Sequence, residues 1–304
     1  MKLRLGTRAS DLARTQSATV ARRLNEAGFE TEIKLIRTAG DRSKAASFGS
    51  IGPQGVFVRE IEQALVADAI DLAVHSFKDL PTSSPPELAI AAVPERADAA
   101  DVLIVNEQAL DRSAGALLPL IEHARVGTAS VRRRVWLGHF RPDLRVESLR
   151  GNVPTRIGRL REMRYDAIVL AAAGVERLRR ATNVLESMLE GLAIVRLDPE
   201  LFVPAPAQGA LAVQCRVDNA AVNAALRALD DAPSRTAVST ERDTLARAEG
   251  GCDIAFGAYC RRAARGFELI AMLERDGRVR VSRVSGSDAA ALADKGWAEL
   301  VGAV

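Results

Sequence analysis

The sequence is poor in aromatic side chains and has no long hydrophobic run. Aromatic residues make up 4% of the 304 residues although 48% are hydrophobic, so the cores must be built from leucine, valine, isoleucine and alanine. A nucleic-acid surface built on stacked aromatic rings is disfavoured, and no apolar run is long enough to span a membrane. The first ten residues carry charges inside their only apolar stretch, unlike a signal peptide, and we expect a cytoplasmic protein.

Cysteine and histidine are also scarce. The three cysteines cannot all pair, and neither they nor the three histidines have the spacing of a metal site, so we expect no metal. Cys252 follows Gly250 and Gly251, and these glycines are expected to end the preceding helix. A cysteine on such a turn can have an exposed, reactive thiol. Burial as a small apolar residue is the alternative for Cys252, and it is the expected state of Cys215 and Cys260.

Arginine, by contrast, is abundant. Of 42 basic residues only five are lysine, so 37 are arginine. The segment 125–180 holds 14 arginines, no lysine and five acidic residues, a net charge of +9. A GC-rich genome explains part of this excess, but guanidinium groups also bind carboxylates and phosphates in bidentate fashion. The segment therefore predicts an anionic partner: a nucleic acid, a polyphosphate or a polycarboxylate.

The first hundred residues have the pattern of an α/β unit. Residues 2–7 and 32–36 predict strands, and a helix from about residue 11 to 27 lies between them with Ser10 at its N-cap. A strand–helix–strand–helix–strand order is typical of a parallel sheet. The stretch 38–56 is rich in glycine, serine and alanine without periodicity, and we interpret it as a mobile lid.

The run 72–81, LAVHSFKDLP, places charges directly after an apolar strand. Open α/β sheets bind ligands beyond the carboxyl ends of their strands, which favours a cleft position for Lys78 and Asp79. A solvated turn is the alternative, because charges in loops are usually just hydrated. We expect His75 to pack or to form a hydrogen bond near the strand end.

A second α/β unit starts near Asp101 and gathers arginines at its strand–helix junctions. Small residues at 128–130 precede a helix start, which is a favourable place for an anion. Solvated arginines would not need to cluster at such junctions, so we expect them to face a cleft. The arginines concerned are Arg132, Arg133, Arg150, Arg156 and Arg177.

Proline-containing connectors bracket the second unit, so the chain crosses out and back and the first domain is discontinuous, with a hinge between the two lobes. We predict domain 1 at 1–96 and 208–228, domain 2 at 97–207 and domain 3 at 229–304. Domain 3 is expected to be a small α+β domain that carries Cys252.

Eight motifs, occurring in order over about residues 1–260, resemble the porphobilinogen deaminase (hydroxymethylbilane synthase) family. They are GTRAS, QGVFVREIE, AVHSFKDLP, VGTASVRRR, SLRGNVPTR, YDAIVLAAAGVERL, PAQGALAVQCR and STERDTLARAEGGC. The ordered set is far more specific than any single motif. The sequence departs from the family pattern at Gln54, Ala129 and Pro154.

The resemblance implies a cytosolic transferase of tetrapyrrole (porphyrin, haem) biosynthesis. Such an enzyme condenses four porphobilinogen molecules head to tail, with release of ammonia, to hydroxymethylbilane. The implied fold has two periplasmic-binding-protein-like α/β domains, the first discontinuous, and a small α+β C-terminal domain. The implied cofactor is dipyrromethane, one per chain, thioether-linked to Cys252. A monomer is expected, with porphobilinogen as small-molecule substrate and neither nucleic acid nor membrane as partner.

The resemblance also gives roles to individual residues. Asp79 is the matching catalytic carboxylate, which can stabilise positive charge on pyrrole nitrogens and help move protons. Each pyrrole adds two carboxylates, and an arginine-lined cleft offsets that charge. Cofactor-binding positions besides Cys252 are Lys78, Ser76, Thr128, Ser130, Arg132, Arg133, Arg150, Gly151 and Asn152. Substrate-binding positions are Arg8, Ser10, Arg156, Arg177 and Gln208.

Two other classes of protein explain part of the sequence. A two-lobed anion-binding protein without chemistry would account for the hinge and the arginines, but not for the third domain or for Cys252 after two glycines. A nucleic-acid-binding protein would account for the +9 segment. The scarcity of aromatic residues and the position of the arginines at strand ends argue against it.

Overall fold

The computed structural model describes residues 1–36, 58–248 and 254–302. These residues divide into two compact units, Met1–Ala97 with Ala210–Thr236, and Asp98–Gly209 with Ala237–Val304. The first unit is therefore discontinuous, and the predicted α/β fold class is confirmed; the three-domain boundaries stay a prediction. The interpreted lid at 38–56, the departure at Gln54 and the predicted attachment residue Cys252 lie outside the described residues.

Strands and helices alternate through most of the chain. The strands are β1 (Lys2–Thr7), β2 (Glu30–Leu35), β3 (Leu72–Ser76), β4 (Leu88–Ala92), β5 (Asp101–Asn106), β6 (Arg125–Gly127), β7 (Arg145–Glu147), β8 (Ala167–Ala171), β9 (Leu192–Arg196), β10 (Leu211–Arg216), β11 (Phe256–Ala263), β12 (Gly266–Arg275) and β13 (Arg278–Gly286). The helices are α1 (Asp11–Glu26), α2 (Arg59–Val66), α3 (Val131–Phe140), α4 (Val153–Arg161), α5 (Ala172–Ala181), α6 (Asn183–Leu189), α7 (Ala220–Leu226), α8 (Ala232–Arg247) and α9 (Ala289–Val301). None of the helices in these ranges combines the length and apolar character needed to cross a membrane.

The first unit is built on a five-stranded sheet in the order β2-β1-β3-β10-β4. Strand β1 runs parallel to β2 and β3, whereas β10 is antiparallel to β3 and β4. Helix α1 begins at the predicted cap, where the Ser10 hydroxyl accepts a hydrogen bond from the Ala13 N–H at 3.4 Å. It covers the sheet with Val20 and Leu24, which are buried against Leu5.

The second unit repeats this arrangement in a sheet of order β7-β6-β8-β5-β9. Strands β6, β7 and β8 are parallel, and β5 is antiparallel to β8 and β9. Strand β8 is central, as its nearly continuous apolar sequence predicts. The strand–helix–strand–helix–strand order predicted a parallel sheet in the first unit, and β1, β2 and β3 are parallel, whereas β10, from residues 211–216, is antiparallel to its neighbours there. In each sheet the antiparallel strand, β10 or β5, is the first strand after the chain crosses from the other unit.

The remaining residues of the second unit form an antiparallel sheet in the order β11-β12-β13, covered by α9. The dipeptide Asp276-Gly277 predicts a hairpin turn, and it forms the turn between β12 and β13 with positive φ at both residues. Buried Glu241 of α8 attaches this sheet to the preceding connector, because its carboxylate accepts hydrogen bonds from the N–H groups of Ala207 (2.6 Å) and Cys260 (2.7 Å). Cys215 and Cys260 are buried, as predicted.

Candidate functional site

In the first unit, the chain after β3 forms an anchored turn that exposes Asp79. Since β1 and β3 are parallel, their carboxyl ends share one edge of the sheet. Residues Phe77–Asp79 form one turn of 3₁₀ helix. Buried Phe77 and Leu80 flank the charged pair, and the Phe77 N–H donates to the Ala210 carbonyl at 3.1 Å. Asp79 is exposed and Lys78 half-buried, so the turn holds the carboxylate at the sheet edge.

Helix α1 supports the residues on either side of this edge. Buried Gln16 donates from Nε2 to the Ser76 hydroxyl at 2.8 Å. Ser10 caps the same helix, and Arg8 lies half-buried between β1 and that cap. The predicted substrate residues Arg8 and Ser10 and the predicted cofactor residue Ser76 therefore all lie beside the amino end of α1.

His75 is buried inside the sheet, with 7% of its surface exposed. Burial lowers the pKa of His75 to about 4, and the positive charge of Arg8 also lowers it. A hydrogen bond with the Gln214 side chain acts in the opposite direction and raises the pKa. The imidazole is therefore neutral at neutral pH. Its burial at the strand end confirms the expectation that His75 packs there.

In the second unit, parallel β6, β7 and β8 end at one edge of the sheet, and antiparallel β5 begins there, with Asp101 opposite Ala171. Helices α3, α4 and α5 start at this edge. Ser130 caps α3 by accepting from the Arg133 N–H at 3.4 Å, and Asn152 caps α4 by accepting from the Thr155 N–H at 2.9 Å. The predicted strand-end residues of this unit are thus brought to one edge.

Two of the predicted cofactor residues, Arg132 and Arg133, are buried with 4% and 6% of their surface exposed and share the carboxylate of Asp101. Arg132 donates from Nη2 to Asp101 Oδ2 at 2.8 Å, and Arg133 donates from Nη2 to Oδ1 at 2.7 Å. The Nη1 groups of Arg132 and Arg133 donate to the carbonyls of Val203 (2.8 Å) and Val169 (3.0 Å), respectively. Both guanidinium groups are therefore fixed in the fold.

Asp101 is ionised in this cluster. Burial alone would raise its pKa, but the charges of Arg132 and Arg133 and the hydrogen bonds from both outweigh burial and hold the pKa far below its usual range. Asp101 was not among the site residues predicted from the sequence. A charged residue at the start of the apolar strand DVLIV was the available signal, because a buried carboxylate requires a cationic partner.

Gln208 and Arg177 bind the backbone where the chain enters and leaves this unit, at Ala99 and Gly209. Fully buried Gln208 donates from Nε2 to the carbonyl of Ala99 (2.8 Å) and to Asp101 Oδ1 (2.9 Å). Arg177 donates from Nη2 to the Gly209 carbonyl at 2.6 Å. Burial lowers the pKa of Arg177 to about 10, so its guanidinium remains charged at neutral pH. The substrate role predicted for Gln208 stays a prediction, since the amide is used inside the fold.

Three predicted site arginines form no ion pair with any described carboxylate. They are Arg150, Arg156 and Arg177. Elsewhere in the same unit, arginines are matched, as in Arg125–Asp166 (3.0 Å). Arg156 donates from Nε to the carbonyl of Gly151 at 2.7 Å; burial lowers its pKa, and the charges of Arg133 and Arg159 lower it further. Gly151 itself has φ of +121°, which a side chain would disfavour.

These features fit an anionic group with several carboxylates. Besides the three arginines above, the Nε of Arg132 is buried without a hydrogen-bond partner among the described residues. Thr128 is buried at the same edge, where its hydroxyl accepts from the Ser130 N–H at 3.2 Å. The structure thus places cationic and N–H donors of the second unit together, and an anion there would satisfy them.

Comparisons with known proteins agree with this chemistry. Residues 3–224 match a family model described as porphobilinogen deaminase, dipyrromethane cofactor binding domain. A porphobilinogen deaminase of Brevibacillus brevis is 43% identical over 260 residues, covering 85% of this chain and 79% of the relative. One from Roseiflexus sp. is 42% identical over 289 residues, covering 93% and 90%. A solved structure, the Bordetella pertussis BvgS VFT2 domain, has a TM-score of 0.45 at 15% identity, covering 79% of this chain and 91% of that domain.

Proposed function

The chain belongs to the porphobilinogen deaminase family, and from that membership we propose how its own residues carry out the family's reaction. The function is hydroxymethylbilane synthesis, in which four porphobilinogen molecules are condensed with release of ammonia on the way to tetrapyrroles. The reaction is a group transfer, and the chain is a transferase. One observation supports this assignment of residues. At one edge of the second unit, Arg150, Arg156 and Arg177 form no ion pair with a described carboxylate, and Arg132 Nε has no hydrogen-bond partner among the described residues.

We propose that this edge holds the carboxylates of the dipyrromethane cofactor, one per chain. Arg132, Arg133 and Arg150 supply guanidinium groups, and the capped helix starts at Ser130 and Asn152 supply N–H groups. Thr128 and Gly151 shape the two loops, and the family resemblance also assigns cofactor-binding roles to Lys78 and Ser76. The bound group supplies the pyrrole carbon to which the first substrate is joined. Its thioether attachment to Cys252 is part of the proposal.

Asp79 is proposed as the catalytic carboxylate. Its anchored turn leaves the carboxylate exposed at the sheet edge, so it can accept a proton and stabilise positive charge on a pyrrole N–H. Substrate carboxylates are assigned to Arg8, Ser10, Arg156, Arg177 and Gln208. Each added pyrrole brings two carboxylates. Arg156 and Arg177 form no ion pair with a described carboxylate, so they can neutralise substrate carboxylates without first breaking one.

The remaining properties are proposed from the family and the composition. We propose a cytoplasmic monomer that uses porphobilinogen and binds neither nucleic acid nor membranes. A salt-sensitive shift of generic DNA by the loaded protein at physiological ionic strength would contradict the nucleic-acid part of this proposal.

Intact mass of the purified protein after incubation with porphobilinogen tests the assignment of cofactor and attachment point. The wild-type chain should gain the mass of two linked pyrroles, and Cys252→Ser should not. Cys215→Ala is the matched control, because Cys215 is a buried core cysteine and its loss should leave the added mass unchanged. No added mass on folded wild-type protein, together with no release of ammonia, would contradict the proposed function and favour an anion-binding protein.

A further inference from the structure

The cluster around Asp101 is not electrically balanced. Two buried guanidinium groups, those of Arg132 and Arg133, share one buried carboxylate. One unit of positive charge is therefore left in an environment where an uncompensated charge is costly. Arg156 increases the imbalance, since its own pKa is lowered in part by the charge of Arg133 and it has no carboxylate partner among the described residues.

The carboxylate itself is fully used by its present partners. Asp101 Oδ1 accepts from Arg133 and from Gln208 (2.9 Å), and Oδ2 accepts from Arg132. Arg132 in contrast keeps a buried Nε without a hydrogen-bond partner in the described part of the chain. The donors in excess are therefore on the guanidinium side, and they match an additional carboxylate that the protein does not provide.

We infer that Asp101 is a positioning residue, which fixes the guanidinium groups of Arg132 and Arg133 and leaves one positive charge for one carboxylate of the cofactor. A second protein carboxylate would neutralise both arginines and compete with the ligand. An uncharged residue at 101 would leave both guanidinium groups buried without a fixed geometry. This inference rests on the proposed function, and it concerns a residue that does not itself touch the cofactor.

Asp101→Asn tests the inference, with Asp166→Asn as matched control. Asp166 also pairs with an arginine, Arg125, in the same sheet, but at the start of β8, the end opposite the candidate site. Both variants lose an ion pair and should have lower thermal midpoints. The folded, monodisperse fraction of each variant is incubated with porphobilinogen, and its intact mass is measured over time. Asp166→Asn should load as wild type does, and Asp101→Asn should load about tenfold more slowly, as expected when the support behind a binding group is lost.

Asp101→Glu keeps the inference testable if the asparagine variant does not fold. It retains the negative charge but displaces the carboxylate by one methylene, so the variant should load more slowly than the wild-type protein. If folded Asp101→Asn gains the cofactor mass as fast as the wild-type protein, the positioning role is overturned. If Asp101→Asn does not fold, a wild-type loading rate of Asp101→Glu overturns it instead. If wild-type protein itself gains no mass, the proposed function fails instead, so the two failures are distinguishable.

Discussion

The arginines that we propose as cofactor ligands are held in two different ways. Arg132 is buried and fixed by Asp101 and the Val203 carbonyl. Arg150 is exposed, and its own carbonyl accepts a hydrogen bond from Arg159 at 3.2 Å. A fixed guanidinium loses little conformational entropy on binding, whereas an exposed one can follow a ligand that changes length. Under the proposed function, the site would use both properties as the chain of pyrroles grows.

The exposed position of Asp79 leads to a specific expectation for its amide variant. Asp79→Asn keeps the shape of the side chain but removes its charge and its ability to accept a proton. Turnover per loaded chain should fall by about 10²-fold or more, with an unchanged thermal midpoint because the carboxylate has no structural role as an exposed group.

The matched control is Glu87→Gln, which neutralises another exposed carboxylate of the first unit. Both variants are assayed for ammonia release and normalised to the mass-loaded fraction. Near-normal turnover of Asp79→Asn, or an equal loss in both variants, would remove Asp79 from its catalytic role.

Local sequence signals predicted some of these residues well and could not predict others. Ser10 as a cap depends only on the residues next to it, and it is confirmed. The pairing of Asp101 with Arg132 and Arg133 joins residues about thirty positions apart and depends on an antiparallel strand lying beside β8. No local pattern contains that information. The binding roles of the arginines stay predictions.

At the scale of elements, strands flanked by proline or by charge were the difficult ones. β4 lies among prolines and was read as part of a connector, and β11 contains charged residues and was not predicted. Both are outermost strands of their sheets, where one side of the strand is unpaired and the apolar pattern is weak. Central β3 and β8, buried on both faces, were recognised from their continuous apolar sequence.

Replacing a glycine by alanine should change the stability of the protein in opposite directions at two positions, one inside α3 and one just before α4. Gly138 lies inside α3, where an added Cβ meets no atom within 4 Å. Gly138→Ala should stabilise the protein by about 0.5–1 kcal/mol. Gly151 precedes α4 with φ of +121°, and a Cβ there would lie 2.9 Å from Thr155 Cγ2.

Gly151→Ala should therefore destabilise the protein by about 1 kcal/mol or more and slow cofactor loading, because Asn152 must shift with the loop. Differential scanning calorimetry of both variants checks the two signs, and Gly138→Ala should load normally. A raised midpoint for Gly151→Ala would show that the loop does not require glycine.

At the scale of the whole molecule, each sheet depends on a strand that arrives after a crossing. Strand β10 lies between β3 and β4 and carries Leu211, Val213 and Cys215 into the core of the first unit. Without β10 these two strands have no partner between them. The connectors in the sequence predicted the two crossings, but not that the returning strand is inserted in the middle of the sheet.

A fragment of residues 1–97 should therefore fail to fold. Circular dichroism on heating should show no cooperative transition for this fragment. The matched control joins residues 1–97 to 210–236 through a flexible glycine–serine linker, which restores β10 and should restore the transition. A cooperative transition of equal midpoint in both proteins would show that β10 is dispensable.

The insertion of β10 also fixes an order of events during synthesis. The ribosome completes β1 to β4 well before it reaches residue 211, and at roughly 5–20 residues per second the intervening residues take about 6–24 s. Strand β3 has an open edge during that interval, and such edges favour aggregation. The second unit has its five-stranded sheet complete at residue 196, before the first unit can close. The amino-terminal part of the chain is therefore made first and finished later, and it is the part that most needs protection as it emerges.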